Sequence, residues 1–315
     1  MKKIIIDTDP GVDDALAICY ALNHPQLQVM ALTCVYGNVS TTLATENALR
    51  LCELCNSSAL VAAGATKPLT IPPHPVADFV HGSNGFGNVA LPGPSRKPEA
   101  LTAAELIVKL IDDNPGEISL VAVGPLTNIA LALQLSPQII DKVANVVIMG
   151  GTFYREGNVS PFAEANIWND PHAAKLVFNA NWPLVVHGLD VTRQITFSRE
   201  YLDHIASVRP EPGDFLRQAA EFYITFYESR QDINGCCPHD HLALAYVTHP
   251  EWFTLKSGQL DVITEGNQIG RTVLTEGTPV SSSQTEKQIA TDVDTEKLLQ
   301  DYTHILTADT GQPSR

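Results

Sequence analysis

The chain has 315 residues, 44% of them hydrophobic and 17% charged, which is the make-up of a globular protein with a real core. Its formal net charge is −15, from 20 Lys and Arg against 35 Asp and Glu. That balance excludes the basic stripe of a nucleic-acid binder and attraction to anionic membrane surfaces, and no apolar run approaches the ~18 residues of a membrane span.

Ile4-Ile5-Ile6 predicts a short buried strand, because it is β-branched and continuously apolar. The preceding Met1-Lys2-Lys3 starts like a signal peptide, but Asp7, Asp9 and Pro10 interrupt it before an apolar segment forms. The expected compartment is therefore the cytoplasm. Asp7, Asp9, Asp13 and Asp14 then crowd one strand-to-helix turn, and a helix follows over Ala15 to Leu22. Like charges held that close repel unless a cation compensates them. A hard divalent ion with oxygen ligands, Ca²⁺ or Mg²⁺, is the direct reading. Asp13 and Asp14 alone could be first-turn caps. Asp7 and Asp9 are less easily explained so, because they end a buried strand ahead of the tight Pro10-Gly11 turn.

Strands are predicted over Leu27–Val35, Leu60–Ala63, Ile118–Val123, Val143–Met149 and Leu184–His187. Helices are predicted over Thr41–Cys55, Thr102–Asp112, Ile129–Leu135 and His172–Asn179, the last entered through Asp170-Pro171 as N-cap and first turn. The long segment Gly64 to Glu99 holds seven of the 21 prolines together with Phe79, Val80, His81 and Phe86, and is expected to be an ordered loop near a site. This alternation implies an α/β fold: a mostly parallel open sheet, Rossmann-like, with helices on both faces. Asp9, Gly37-Asn38, Gly124, Gly150-Gly151 and Asp190 all follow strands, so they should share the carboxyl edge where open sheets bind ligands.

Beyond Asp190 the pattern turns helical, over Arg199–Ser207 and Gly213–Arg230. Phe222, Tyr223, Phe226 and Tyr227 form an aromatic stripe that reads as core packing. His239-Asp240-His241 opens an apolar helix over Leu242 to Val247, small antiparallel strands are expected from Leu255, and a last helix near Thr295 to Leu306. Residues 1–315 are read as a single domain with a frayed tail from about residue 306. The six cysteines, including Cys52 and Cys55 of a CxxC inside a helical pattern, read as reduced core thiols rather than a zinc site. The loop Asn158 to Asn166 offers two Asn and Glu164 for hydroxyl groups. Together the three polar clusters suggest a metal and a polyhydroxylated ligand.

The motifs resemble those of the nucleoside hydrolases, in matching order from about Lys3 to Val247: Asp7–Asp14 as DTDPGVDD, Gly124–Leu133 as GPLTNIALAL, Val146–Gly151, the Asn158–Asn166 loop, and the late His239-Asp240. The resemblance implies a Ca²⁺ held by Asp9, Asp14, Asp240 and the Val123 carbonyl. It implies ribose contacts from Asp13, Asn38, Asn158, Glu164 and Asn166, with Met149 lining the pocket and His81 near the sugar. It makes Asp9 the general base and His239 the group assisting departure of the base, with Tyr227 helping or stacking. It also implies a homo-oligomer, dimer or tetramer, acting on a small nucleoside and neither on nucleic acid nor at a membrane. The loop departs from the usual family pattern at Ala165, where many members carry Phe. Two alternatives stand beside this reading: a metal-dependent phosphohydrolase, and a non-catalytic Ca²⁺- and ribose-binding protein on the same scaffold.

Overall fold

The structure, a computed structural model, describes residues 1–231, 233–277, 285 and 287–308. The first half alternates strands and helices: β1 (Lys2–Thr8), α1 (Val12–Asn23), β2 (Leu27–Cys34), α2 (Thr41–Leu54), β3 (Leu60–Ala63), α3 (Asp78–His81), α4 (Ala103–Asp113), β4 (Ile118–Ala122), α5 (Thr127–Leu135) and β5 (Asn145–Met149). The rest comprises α6 (Ala165–Asn169), α7 (Pro171–Asn179), β6 (Leu184–His187), α8 (Leu189–Thr192), α9 (Arg199–Val208), α10 (Pro210–Gln231), α11 (His239–Thr248), β7 (Phe253–Val262), β8 (Thr272–Thr275), β9 (Lys287–Val293) and α12 (Thr295–Thr307).

The described strands form one nine-stranded sheet in the order β3-β2-β1-β4-β5-β6-β9-β7-β8. Pairing is parallel from β3 through β9, and β7 and β8 add an antiparallel edge. The expected α/β sheet is therefore present. The late strands differ from expectation in one respect: β9 joins the main sheet parallel to β6, because its apolar Ile289 and Ala290 are buried there. Period-two alternation divides each buried strand between two cores. Ile4 and Ile6 face one apolar cluster with α1, α10, α11 and α12, whereas Ile5 faces the other with α4, α5 and α7. A strand covered on both faces reads as a continuous apolar run.

Several helix starts lie earlier than the sequence pattern predicts. α1 begins at Val12 rather than Ala15, because the Asp14 carboxylate accepts the Gly11 N–H (2.9 Å) and closes the first turn. α11 begins at His239 rather than Leu242, so His239, Asp240 and His241 occupy one helical turn. Asp170 caps α7 as expected, accepting from Ala173 N (3.0 Å) with Pro171 at the first position. The Gly64–Glu99 segment contains α3, and its Phe86 is buried against Phe215 with ring centroids 5.1 Å apart. α12 runs to Thr307 with Leu306 buried, so residues 306 and 307, expected to belong to a frayed tail, are helical; positions 309–315 lie outside the described residues. All six cysteines are free thiols. No described helix is long and apolar enough to cross a membrane.

Candidate active site

The sheet places β1 between β2 and β4, so the connections from β1 and from β4 diverge in opposite directions. A crevice opens at such a switch point, beyond the carboxyl ends of the strands. Asp9 sits there, just past β1. Its carboxylate is gripped from two sides: Asn38 N donates to Oδ2 (2.6 Å), and Gly37 and Gly124, which follow β2 and β4, press against it. A Cβ on Gly37 would fall 2.0 Å from Asp9 Oδ2, and one on Gly124 2.6 Å from Oδ1. Those two strand-end glycines are needed because no side chain fits beside the carboxylate.

Asp13, Asp14 and Asp240 each offer a carboxylate oxygen within 4.8 Å of the other two. Asp9 abuts this group and carries a buried Oδ1 without a partner, as does Asp13 at its Oδ1. Burial pushes the Asp9 carboxyl well above the usual carboxylate range, and the Asp14 charge pushes it further. Burial raises Asp13, Asp14 and Asp240 as well; neighbouring carboxylates add to the effect on Asp13 and Asp240. Four buried carboxyls with so few partners cannot all ionise unless a cation replaces the lost water. Oxygen donors of this kind suit a hard divalent ion. Asp14 has a second role, since it accepts from the Thr8 hydroxyl, Gly11 N and Asn38 Nδ2. The capping and the metal-ligand readings of Asp14 are thus compatible.

Above the carboxylates lies a cavity of about 140 Å³. It is lined by Asp13, Asn38, His81, Val123, Met149, Asn158, Glu164, Asn166, Tyr227, His239 and Asp240, which is every site residue that the resemblance implies except Asp9 and Asp14. Asn166 braces the strand ends: its Nδ2 donates to the Val123 carbonyl (2.9 Å) and the Met149 carbonyl (3.2 Å). Glu164 caps α6 and also holds Gly151, accepting from Gly151 N (2.8 Å) and Asn166 N (2.9 Å). Burial nevertheless raises its carboxyl to about 7. Asn158 is exposed at the mouth, where its Oδ1 accepts from Ala165 N (3.0 Å).

His81 is delivered by the last residue of α3. Its Nδ1 accepts from Val12 N (3.2 Å), and burial drives its pKa down to about 3, so the ring is neutral with the proton on Nε2. His239 is neutral for the same reason, with its pKa also lowered to about 3 by burial. Both its nitrogens already have partners: Nδ1 pairs with Thr192 Oγ1 (2.7 Å) and Nε2 with the Tyr227 hydroxyl (2.6 Å). The Tyr227 hydroxyl lies 3.4 Å from that of Tyr223, which in turn donates to Asp13 Oδ2 (3.3 Å). A continuous chain therefore runs from Thr192 through His239, Tyr227 and Tyr223 to Asp13.

Sequence reasoning missed Tyr223 and Thr192. The signal for Tyr223 was its spacing of four from Tyr227, which puts two hydroxyls on one helical face; reading the stripe as core hid it. Thr192 carried no signal, because only the fold brings it beside His239. Asp7, at the end of β1, turns inward to Thr33 Oγ1 (2.6 Å) and Asn128 Nδ2 (2.8 Å) and braces strand ends instead of lining the cavity. His241 points away from the cavity: its ring is buried edge-on against Tyr20 (4.5 Å) and Tyr302 (4.8 Å).

Residues 4–300 match the family model described as inosine-uridine preferring nucleoside hydrolase. The uridine nucleosidase 1 of Arabidopsis thaliana is 41% identical over 277 residues, covering 88% of this chain and 82% of that one. The inosine-uridine preferring nucleoside hydrolase of Leishmania major is 40% identical over 268 residues, covering 84% of each. A solved plant nucleoside hydrolase superposes with a TM-score of 0.93 at 36% identity, over 98% of this chain and 99% of that one. With the family model spanning nearly the whole chain and relatives this similar, the protein belongs to the nucleoside hydrolase family, hydrolases of the N-glycosidic bond.

Proposed function

We propose that the chain is a Ca²⁺-dependent ribonucleoside hydrolase that splits purine or pyrimidine nucleosides into free base and ribose in the cytoplasm. The observation that carries this reading is the stack of a buried, under-partnered carboxylate cluster beneath a cavity lined with amide and hydroxyl groups. Asp9, Asp14, Asp240 and the Val123 carbonyl would hold the ion, and Asp13, grouped with Asp14 and Asp240, stands close enough to join them or to hold a ribose hydroxyl. Bound there, Ca²⁺ would orient the ribose diol and lower the pKa of the attacking water.

Asp9 takes the proton of that water, a role suited to a carboxylate whose buried site favours protonation. Asn38, Asn158, Glu164 and Asn166 position the sugar, and His81 and Met149 close its sides. Glycosidic cleavage develops positive charge on the sugar ring, and the surrounding carboxylates stabilise it. Departure of the base needs a hydrogen bond or a proton. A neutral His239 with both nitrogens engaged serves through Tyr227, whose hydroxyl it polarises. Among the residues lining the cavity there is no Lys or Arg to receive a phosphate, so the phosphohydrolase alternative lacks a supporting feature.

The test is release of reducing sugar from uridine, cytidine, inosine and adenosine, with Ca²⁺ and after exhaustive chelation. Release that vanishes on chelation and returns with Ca²⁺ is expected, and the four rates give the base preference. Binding of ribose without turnover would support the non-catalytic alternative. Self-association as a dimer or tetramer completes the reading and is checked by sedimentation.

A further inference from the structure

A second cluster of metal-binding side chains lies at the other end of the sheet, beside the amino ends of β1 and β2. His24 is the C-cap of α1, His249 is the C-cap of α11, and Asp301 lies in α12. One ligand atom of each falls within 4.8 Å of the other two. This cluster shares no residue with the catalytic cavity, and the reading below is independent of the reaction proposed above.

Three observations point to a ligand. His24 is only 4% exposed, Gln26 N donates to its Nδ1 (3.1 Å), and its buried Nε2 has no hydrogen-bond partner. His249 Nδ1 pairs with Glu251 Oε1 (3.2 Å), the carboxylate contact that presents the opposite nitrogen of a metal-bound imidazole. That opposite nitrogen, Nε2, stands 4.0 Å from Asp301 Oδ1. Such an approach is favourable only when positive charge lies between the two, either a proton on the ring or a bound cation. Asp301 is itself held in place, since Tyr20 donates to its Oδ2 (2.6 Å). The carbonyl ends of α1 and α11 converge on the same spot and favour positive charge.

We propose that His24, His249 and Asp301 bind a Zn²⁺ ion. Two imidazoles and one carboxylate are a donor set suited to zinc, with bonds of about 2.0–2.2 Å and ligand atoms therefore about 3.4 Å apart. The three groups must close by roughly an ångström, which the half-buried His249 and Asp301 side chains can do. His304, one turn after Asp301 on the same face of α12, or a water, takes the fourth position. On binding, the His24 proton moves from Nε2 to Nδ1. The Gln26 N–H then turns to solvent, where Gln26 is already exposed. No proton is lost or gained at this histidine. The ion would tie α1, α11 and α12 together at the ends remote from Asp14 and Asp240, and so staple the two helices whose first turns carry the acidic cluster.

The experiment titrates Zn²⁺ into the full chain with Ca²⁺ kept saturating, by calorimetry, with thermal unfolding and Co²⁺ absorption as parallel readouts. The expected result is one bound Zn²⁺, a rise in Tm with zinc concentration, and d–d absorption of a tetrahedral Co²⁺. His249→Gln and His24→Gln should each weaken binding at least tenfold, with nucleoside hydrolysis by His249→Gln unchanged. No bound zinc in the parent chain overturns the proposal, as does binding that persists undiminished in both variants, since that would put the ion elsewhere. If the buried His24→Gln variant fails to fold, the partly exposed His249→Gln decides alone.

Discussion

At the scale of single residues, the site depends on small distances. Asp9→Asn keeps the shape of the side chain but removes the proposed base, so kcat should fall by about 10²–10⁴-fold while the far-ultraviolet circular dichroism stays that of the parent. A near-normal kcat would remove Asp9 from that role. Asn166→Ala takes away an amide that spans Val123 and Met149, and kcat/KM for nucleosides should drop about tenfold or more, the scale of one lost charge-free hydrogen bond to substrate. Gly37→Ala makes the converse change, because its new methyl would meet Asp9 Oδ2 at 2.0 Å. Displacing that carboxylate should cost turnover and Ca²⁺ affinity together, read as kcat and as the Ca²⁺ concentration that half-restores activity. These glycines were visible in the sequence as strand-end residues, yet their contact with Asp9 was not, since Gly37 and Gly124 lie 87 positions apart in the chain and meet only across the sheet.

At the scale of elements, the site is a meeting of helix starts and strand ends. The first turn of α1 supplies Asp13 and Asp14, and the first turn of α11 supplies His239 and Asp240. Ten of the twelve residues of α1 are buried, so this helix is covered on nearly every side and its acidic turn meets solvent only through the cavity that Asp13 lines. Asp170 does comparable work for α7. Besides capping that helix it accepts from Leu69 N (2.9 Å) and Thr127 Oγ1 (2.8 Å), joining the long loop, α5 and α7. Asp170→Ala should therefore cost about 2–4 kcal/mol, more than a simple cap, because buried donors are left unpaired. Urea denaturation would measure it, and a loss below 0.5 kcal/mol would show that water replaces the carboxylate. The cap itself was legible from Asp170-Pro171, but its two distant donors were not.

At the scale of the whole molecule, the buried charges set a pH dependence. Asp7 and Glu164 have carboxyls raised to about 7 by burial, and the four carboxyls of the cluster are raised as well. In this range the folded chain holds protons that the unfolded chain has released, so stability falls as pH rises towards and through the folded pKa values. Buried His81, His187, His239 and His241, all lowered to about 3, act in the opposite direction: the unfolded chain takes up protons below about 6.5 and stability falls as pH drops. Above pH 6.5 only the carboxyl effect remains. The metal-free chain should lose Tm between pH 6.5 and 8, and the gain in Tm on adding Ca²⁺ should grow over the same interval. A Ca²⁺ effect that shrinks as pH rises would contradict a site built on these carboxylates.

The resemblance to the nucleoside hydrolases named the candidate lining, whereas the sequence by itself determined the sheet's character and the edge on which the polar clusters meet. Those features are written in local patterns: continuous β-branched runs for strands buried on both faces, and carboxylates, amides and glycines placed just after them. Eleven of the thirteen residues that the resemblance implies line the cavity, and Asp9 is packed against Asn38 and Gly37. What only the tertiary structure decided were relations between distant segments. His239 is tied to Tyr227 and Thr192, Tyr223 reaches Asp13, and His241 turns into an aromatic core instead of the cavity. The physical reason is the same in each case: the direction a side chain takes around a helix depends on which neighbour buries its other faces, and that neighbour lies far away in the chain.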